Sequence, residues 1–261
     1  MSIKKIIYLF CPPIVYNILK KYINAIKTKN FLKKINSNVV LNGAFKGMKY
    51  IHSSVGSTLL PKLIGSYEFE LNEVMENFKK INFNNIVDIG SAEGYYAVGF
   101  ALNFNYNKIF AFDISKNARK LLKILSQINN VTDKISIQSR CDSNILTNID
   151  LTNSLILSDC EGYEKELFLN KDVFNKLESS YIIIEAHDFI DPLITIDLIS
   201  LYSITHNIQI IQSNDDLNKA MNYKFFDTNL FSFKERYYMY KEERPSIMNW
   251  LILYPKKLYN Q

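Results

Sequence analysis

The sequence predicts an α/β fold in which a mostly parallel sheet is covered by helices on both faces. Two observations lead to this prediction. Short apolar runs alternate with helix-like segments between residues 85 and 188, and the first apolar run is followed by a turn that contains two glycines. Strands that alternate with helices form right-handed βαβ crossovers, which place the strands in parallel. We therefore expect ligands to bind at the carboxyl ends of the strands.

Seven apolar runs are candidates for strands of this sheet. They are residues 86–89, 109–112, 135–137, 155–157, 181–184, 208–211 and 250–254. The spacing of apolar residues predicts helices over 67–81, 95–102, 117–127 and 163–170. We expect the last strand to be antiparallel, so the predicted fold is a Rossmann-like seven-stranded sheet.

The charge distribution divides the 261 residues into two predicted regions. From Met1 to Tyr67 there are eleven lysines and no acidic residue, whereas the whole chain carries 31 basic and 26 acidic residues. Residues 1–66 are predicted to be a basic extension of helix and loop, and residues 67–261 the main domain. Apolar residues recur at helical spacing over 14–26, so this segment either caps the core or lies on an anionic membrane surface. It is too short to span a bilayer.

The cysteine pattern indicates the cellular compartment of the protein. Cys11, Cys141 and Cys160 have no CxxC spacing and no neighbouring histidines, so neither a disulfide framework nor a zinc site is indicated. We therefore expect a cytoplasmic protein, with contact at the inner membrane surface as the alternative.

The turn after the first strand reads Asp88-Ile-Gly-Ser-Ala-Glu-Gly94. Its two glycines let the backbone bend and bring a ligand close to the next helix's N-terminus. The dinucleotide fingerprint GxGxxG would require glycines where this chain has Ala92 and Tyr95, which argues against a pyrophosphate. Asp113 ends the second strand about twenty residues further on, where an acid can bind both hydroxyls of a ribose.

Acidic residues also follow the third, fourth and fifth strands. Asp142 could accept a hydrogen bond from an adenine amino group or could simply be solvated. The fourth strand is followed by Asp159, Glu161 and Glu164, and the fifth by Glu185, His187 and Asp188. Such groups could hold a divalent cation, bind sugar hydroxyls or accept the proton of an attacking hydroxyl. His187 is the best-suited base at neutral pH.

Several of these motifs together resemble a known family. VDIGSAEGYYAVGFA resembles motif I of the class I S-adenosylmethionine-dependent methyltransferases, and SDCEGYEKELF followed by IIIEAHDF resembles the FkbM-type members. GAFKGMKY, VGSTLLPKLIGSYEFEL and ERPSIMNWLILYPKK are similar to bacterial relatives associated with glycan and capsule biosynthesis. The resemblance covers roughly residues 42 to 256.

The resemblance implies a set of site residues. The cofactor would be S-adenosylmethionine, with the methionine part at the turn, the ribose at Asp113 and the adenine at Asp142. The residues implied to bind it are Asp88, Gly90, Ser91, Glu93, Gly94, Tyr95, Asp113, Ile114 and Asp142. Asp159 would lie near the sulfonium and the acceptor hydroxyl.

The reaction that we expect is O-methylation of a sugar hydroxyl, on a nucleotide-activated sugar or a surface glycan. The general base is expected to be His187 or Asp159. In an alternative version, Asp159, Glu185 and Asp188 hold Mg²⁺. The N-terminal lysines could meet a sugar diphosphate or a lipid-linked glycan at the membrane, whereas the acidic main domain argues against nucleic acid.

Two other classes of function stay open at the level of sequence. One is an oxidoreductase that uses an NAD-type dinucleotide, against which Ala92 and Tyr95 count. The other is a noncatalytic protein of the same fold that binds a membrane surface or a glycan.

Overall fold

The structure, a computed structural model, describes residues 38–225, 228, 229 and 231–259, together with Val15. The chain divides into two compact units, residues 1–37 and residues 38–261. The helix predicted over 14–26 therefore lies outside the described residues apart from Val15. The predicted basic extension reaches residue 66, and its part from Asn38 onward belongs to the second unit.

In the described residues, seven strands form one sheet. They are β1 (Asn82–Ile89), β2 (Asn105–Phe112), β3 (Ile135–Gln138), β4 (Leu155–Ser158), β5 (Tyr181–Ala186), β6 (His206–Gln212) and β7 (Asn249–Pro255). Their spatial order is β3-β2-β1-β4-β5-β7-β6. The first five strands pair in parallel, and β7 is antiparallel to both of its neighbours. The predicted Rossmann-like sheet with an antiparallel last strand is confirmed.

Helices connect and flank these strands. They are α1 (Leu59–Ile64), α2 (Asn72–Phe78), α3 (Tyr95–Asn103), α4 (Lys116–Ile128), α5 (Ser143–Thr147), α6 (Glu164–Phe168), α7 (Lys171–Leu177), α8 (Ile194–Tyr202), α9 (Asp216–Asn222), α10 (Phe233–Tyr240) and α11 (Lys256–Tyr259). Short 3₁₀ turns cover Phe69–Leu71 and Thr132–Lys134. None of the described helices combines the length and the apolar character that a membrane crossing requires.

Two of the predicted helices are shorter than predicted. The helix predicted over 67–81 begins only at Phe69, because Glu68 before it adopts a left-handed backbone conformation with φ of 48°, and it consists of the 3₁₀ turn followed directly by α2. The helix predicted over 163–170 ends at Phe168. Asn170 then caps α7, accepting hydrogen bonds from the N–H groups of Asp172 at 3.0 Å and Val173 at 3.2 Å.

The core on one face of the sheet follows the two-residue period of a strand. Val87 and Ile89 of β1 pack in one buried cluster with apolar residues of β4, β5, β7 and the helices α5 to α8. Ile86 and Asp88 therefore point to the opposite face. At the carboxyl end, the Asp159 N–H donates to the Ile89 carbonyl at 2.9 Å, so β1 and β4 stay paired where the candidate site begins.

Candidate active site

The turn after β1 is held against the end of β2. The N–H groups of Gly90 and Ser91 both donate to the Phe112 carbonyl, each at 2.9 Å. Gly90 has φ of 84°, and a Cβ at this position would lie 1.7 Å from the Asp159 carbonyl oxygen. Only glycine combines this backbone conformation with such close contact. The predicted role of Gly90 as the bend of the turn is thus visible in the structure.

Asp113 at the end of β2 fixes the turn from the other side. Its Oδ2 accepts the N–H of Ala92 at 2.8 Å, and its Oδ1 accepts the N–H of Ser115 at 2.7 Å. Ala92 itself is in the left-handed region with φ of 46°. Each carboxylate oxygen has a further lone pair, so these two bonds leave acceptor capacity for the predicted ribose contact.

Glu93 lies behind the turn, completely buried among groups of the preceding loop. Its Oε1 accepts from Tyr50 at 2.5 Å and from Lys62 Nζ at 2.6 Å, and its Oε2 accepts from the Val55 N–H at 2.8 Å. Burial raises the pKa of this carboxyl, but the Lys62 ammonium and the hydrogen bonds outweigh it, so the pKa lies below its usual value. Glu93 thus joins the loop of residues 50–62 to the turn.

A cavity of about 530 Å³ opens at the carboxyl ends of β1, β2 and β4. The predicted site residues that line it are Gly90, Ser91, Tyr95, Asp113, Ile114 and Asp159. The other predicted residues, Asp88, Glu93, Gly94, Asp142 and His187, are not among the residues that line it. The structure therefore brings together the turn, the end of β2 and the end of β4, as the strand order requires.

Two of the predicted residues that do not line the cavity have different surroundings. Asp142 caps α5, since its Oδ1 accepts the Ile145 N–H at 2.9 Å, while its neighbour Cys141 faces the cavity. Asp88 is fully buried within the sheet, where neither carboxyl oxygen has a hydrogen-bond partner among the described residues. Burial raises the pKa of Asp88 to about 8.

The end of β4 meets the end of β5 in a cluster around His187. The His187 Nδ1 is 2.7 Å from Glu164 Oε1, and its Nε2 is 3.5 Å from Asp159 Oδ1 and 3.6 Å from Glu161 Oε2. The imidazole is only 3% exposed. Burial lowers the pKa of His187, but the hydrogen bond to Glu164 and the surrounding carboxylates outweigh it and raise the pKa above its usual value.

Burial and neighbouring charges raise the pKa of two carboxyls of this cluster, those of Asp159 and Glu185. Burial, and next the nearby Glu68, raise the pKa of Asp159 to about 7. Burial, and next Asp159, raise the pKa of Glu185 to about 8, although Arg244 acts in the opposite direction. At neutral pH this end of the cavity therefore holds carboxyls near the midpoint of their titration.

The acidic residues predicted to hold Mg²⁺ are only partly brought together. Within the described residues, two groups have potential ligand atoms within 4.8 Å of one another, namely Asp159, Glu161 and His187, and Glu68, Asp159 and Glu185. Asp188 belongs to neither group. Its carboxylate instead accepts from the Thr195 N–H at 2.9 Å and the Asn249 side-chain amide at 3.1 Å.

The structure adds two lining residues, Lys62 and Tyr67, that the sequence did not single out. Lys62 and Tyr67 line the cavity, and the Lys62 Nζ lies 4.8 Å from the centre of the Tyr67 ring. Behind Asp159, Arg244 forms ion pairs with Glu68, Glu185 and Glu242. The glycine-rich loop before α1 was the one sequence signal for part of this wall, because it supplies Val55 to Ser57.

Comparisons with known proteins report similarity only to solved structures. A scan of protein families found no match, and a search of curated proteins also found none. The chain is similar to precorrin-6y C5,15-methyltransferase from Geobacter metallireducens GS-15, with 11% identity, a TM-score of 0.48 and coverage of 72% of this chain and 88% of that one.

Two further solved structures show a similar level of likeness. The O-methyltransferase TomG from Streptomyces achromogenes, in complex with SAM, has 9% identity, a TM-score of 0.44 and coverage of 66% of this chain and 73% of that one. Precorrin 8w decarboxylase from Methanobacterium thermoautotrophicum has 15% identity, a TM-score of 0.45 and coverage of 56% and 76%. With TM-scores below 0.5, these likenesses carry no weight for the reaction, and the fold rests on the strand order described above.

Proposed function

We propose that the chain is an S-adenosylmethionine-dependent O-methyltransferase that acts on a sugar hydroxyl. One observation carries the proposal. A single cavity joins the Gly90 turn, the acid at the end of β2 and the carboxyl at the end of β4. These are the three positions at which an adenosine, a sulfonium and a hydroxyl acceptor would have to meet.

The wall of the cavity fits the cofactor on two structural grounds. Gly90 presents bare backbone, because no side chain could occupy that position. The buried Ser91 Oγ next to it has no hydrogen-bond partner among the described residues, so it is available to a polar ligand group. Asp113 would hold the ribose hydroxyls, while Ile114 and Cys141 provide apolar surface at the same end.

Methyl transfer from a sulfonium needs alignment and an outlet for the acceptor's proton, because the donor is already activated. Asp159 lines the cavity, and its backbone N–H donates to the Ile89 carbonyl at 2.9 Å, which fixes the end of β4 beside the end of β1. His187 lies behind it, with its Nε2 3.5 Å from Asp159 Oδ1. In this proposal Asp159 contacts the acceptor hydroxyl and His187 supports Asp159.

The sugar as acceptor is supported by the chemistry of the cavity mouth and by the FkbM-type motifs. Asp159 and the exposed Glu161 offer carboxylate oxygens, which are good acceptors for adjacent sugar hydroxyls. The resemblance of SDCEGYEKELF and IIIEAHDF to FkbM-type enzymes points to the same class of substrate. The nucleotide-linked or lipid-linked form, and contact of the basic N-terminal region with a membrane, belong to the same proposal.

Calorimetry tests the cofactor first. S-adenosylhomocysteine and S-adenosylmethionine should bind, and NAD should not. The Asp113→Ala variant should bind S-adenosylhomocysteine about tenfold to a hundredfold more weakly, the usual value of hydrogen bonds to a charged group. The exposed Asp133→Ala is the matched control and should bind as the wild type does. Absence of binding of both sulfur ligands would contradict the proposal.

The acceptor is tested by following S-adenosylhomocysteine release with a panel of nucleotide-linked sugars. Turnover with at least one sugar is expected, and Asp159→Asn should reduce kcat with little change in cofactor affinity. If cofactor binds but only nonsugar hydroxyls are methylated, the sugar assignment is wrong and methyl transfer stands.

A further inference from the structure

The cluster at His187 places a buried nitrogen among carboxylate oxygens without a hydrogen bond between them. The His187 Nε2 is 3.5 Å from Asp159 Oδ1, 3.6 Å from Glu161 Oε2 and 3.8 Å from Glu185 Oε2. An N–H···O hydrogen bond would bring such atoms to about 2.7–3.2 Å. The Asp159 Oδ1 is buried and has no hydrogen-bond partner among the described residues. The Nε2 atom therefore faces three carboxylate oxygens at distances longer than a hydrogen bond.

Glu164 determines which nitrogen of His187 faces this point. Its Oε1 lies 2.7 Å from Nδ1 and is completely buried. The hydrogen bond with His187 helps to keep the pKa of Glu164 below its usual value despite burial. A carboxylate in this position accepts the Nδ1–H, so the lone pair of the neutral ring lies on Nε2. Metal-binding histidines are held in this way by a carboxylate on their other nitrogen.

The spacing of the three donors fits one metal ion. Donors that bind a divalent transition metal at about 2.1 Å and subtend angles of about 110–120° lie about 3.4–3.6 Å apart. The distances from Nε2 to Asp159 and Glu161 are 3.5 and 3.6 Å. The ligand atoms of Asp159, Glu161 and His187 all lie within 4.8 Å of one another.

We propose that Asp159, Glu161 and His187 bind one divalent cation of the first transition series, with Glu164 as a positioning residue. An imidazole among carboxylates favours such an ion over Mg²⁺, which prefers oxygen ligands and octahedral geometry. Glu161 is 74% exposed and lies at the cavity mouth, so the ion can enter from solvent. This set differs from Asp159, Glu185 and Asp188, which the sequence suggested.

The chemical role of the ion rests on the proposed methyl transfer, whereas its binding does not. With the site occupied, the cation rather than Asp159 itself would contact the acceptor oxygen and lower the pKa of the hydroxyl, whose proton passes to solvent. The oxygen then forms the bond to the methyl carbon as the bond to sulfur breaks. The products are the methyl ether and neutral S-adenosylhomocysteine.

Binding of Mn²⁺ tests the site without reference to activity. Metal-free full-length protein is titrated with Mn²⁺, and the free ion is followed by electron paramagnetic resonance. The wild type should bind one ion. His187→Ala should abolish this binding, and Glu164→Gln should weaken it about tenfold to a hundredfold, as expected for an outer carboxylate. Asp188→Asn, one residue from His187, is the matched control and should keep the wild-type affinity.

Each alternative result has a definite meaning. If the wild type binds no Mn²⁺, or if His187→Ala binds it as the wild type does, the site is refuted. Loss on Asp188→Asn with retention on His187→Ala would favour the other set of acids. Circular dichroism and S-adenosylhomocysteine affinity, measured on the same samples, show whether each variant is folded. Failure of S-adenosylhomocysteine to bind would refute the methyltransferase and leave the metal result intact.

Discussion

At the scale of single residues, the acidic residues of the candidate site differ in how many hydrogen bonds their carboxylates already accept from other groups of the protein. Glu93 is buried under four donors from the loop of residues 50–62. Asp113 accepts two backbone N–H groups and still faces the cavity. The sequence placed Glu93 in the turn and Asp113 at the end of β2, both as cofactor-binding residues, but only the packing shows that Glu93 acts as an anchor for the loop.

Glu93→Gln should therefore affect stability more than chemistry. The change leaves Lys62, which is 2% exposed, as a buried charge without its carboxylate. Breaking one side of a buried ion pair costs about 3–5 kcal/mol. Urea denaturation should show this loss, and the Glu93→Gln/Lys62→Met double variant should recover part of it.

The matched control for Glu93→Gln is Glu76→Gln, which breaks the more exposed pair with Lys79. We expect this control to cost less than about 1 kcal/mol, as for surface pairs in general. Equal losses in the two variants would show that the Glu93–Lys62 pair does not anchor the loop.

At the scale of elements, the sequence predicted each strand of the sheet, and the structure confirms them. Apolar runs such as residues 155–157 and 181–184 became β4 and β5 because a parallel sheet buries both faces of its strands. The helix predicted over 67–81 begins later than predicted, after Glu68, which takes part in a long-range interaction. The left-handed Glu68 is paired with Arg244, 176 residues further along the chain. Local periodicity contains no information about such a partner.

The candidate site was likewise predictable where it depends on the strands, and unpredictable where it depends on long-range packing. Residues directly after strands, such as Gly90, Asp113 and Asp159, line the cavity because strand order alone places them there. The hydrogen-bond partner of His187 was harder to predict from the sequence. The neighbouring Asp188 is bonded to Thr195 and Asn249, while Glu164, 23 residues away, contacts the imidazole. Which way a side chain turns at a strand end depends on packing that one sequence does not show.

The turn after β1 allows a prediction about an element. Gly90→Ala should be strongly destabilising, because its new Cβ would overlap the Asp159 carbonyl as well as strain a positive φ. Gly47→Ala is the matched control, since Gly47 has φ of 89° but no atom within 4 Å of a Cβ. The control should cost about 1–2 kcal/mol from the backbone conformation alone.

Thermal unfolding and S-adenosylhomocysteine calorimetry distinguish the two glycine variants. We expect Gly90→Ala to lose more stability than Gly47→Ala and to lose cofactor binding, which Gly47→Ala should retain. If both variants lose the same stability and both bind the ligand, the close contact between the turn and β4 does not shape the site.

At the scale of the whole molecule, burial in the folded chain raises the pKa of several carboxyls. Burial raises the pKa of Asp88 and Glu185 to about 8 and that of Glu68 and Asp159 to about 7. Such groups bind protons more tightly in the folded chain than in the unfolded one. Their contribution to stability is therefore present at low pH and is lost as the pH rises toward these values. The folded domain should become less stable between about pH 5 and pH 8.

Asp88 isolates this effect, because it is fully buried in β1 and does not line the cavity. Its pKa in the folded chain, about 8, exceeds the ordinary value of 3.8. Below pH 3.8 both states are protonated, and above it the unfolded state ionises first, so the wild type loses stability until about pH 8.

Asn at this position cannot ionise. From urea unfolding at pH 6 and pH 8.5, we expect Asp88→Asn to lose about 2 kcal/mol less than the wild type, since each pKa unit corresponds to about 1.4 kcal/mol. The exposed Asp133→Asn should follow the wild type, and a pH dependence of Asp88→Asn equal to that of the wild type would show that Asp88 is not the titrating group.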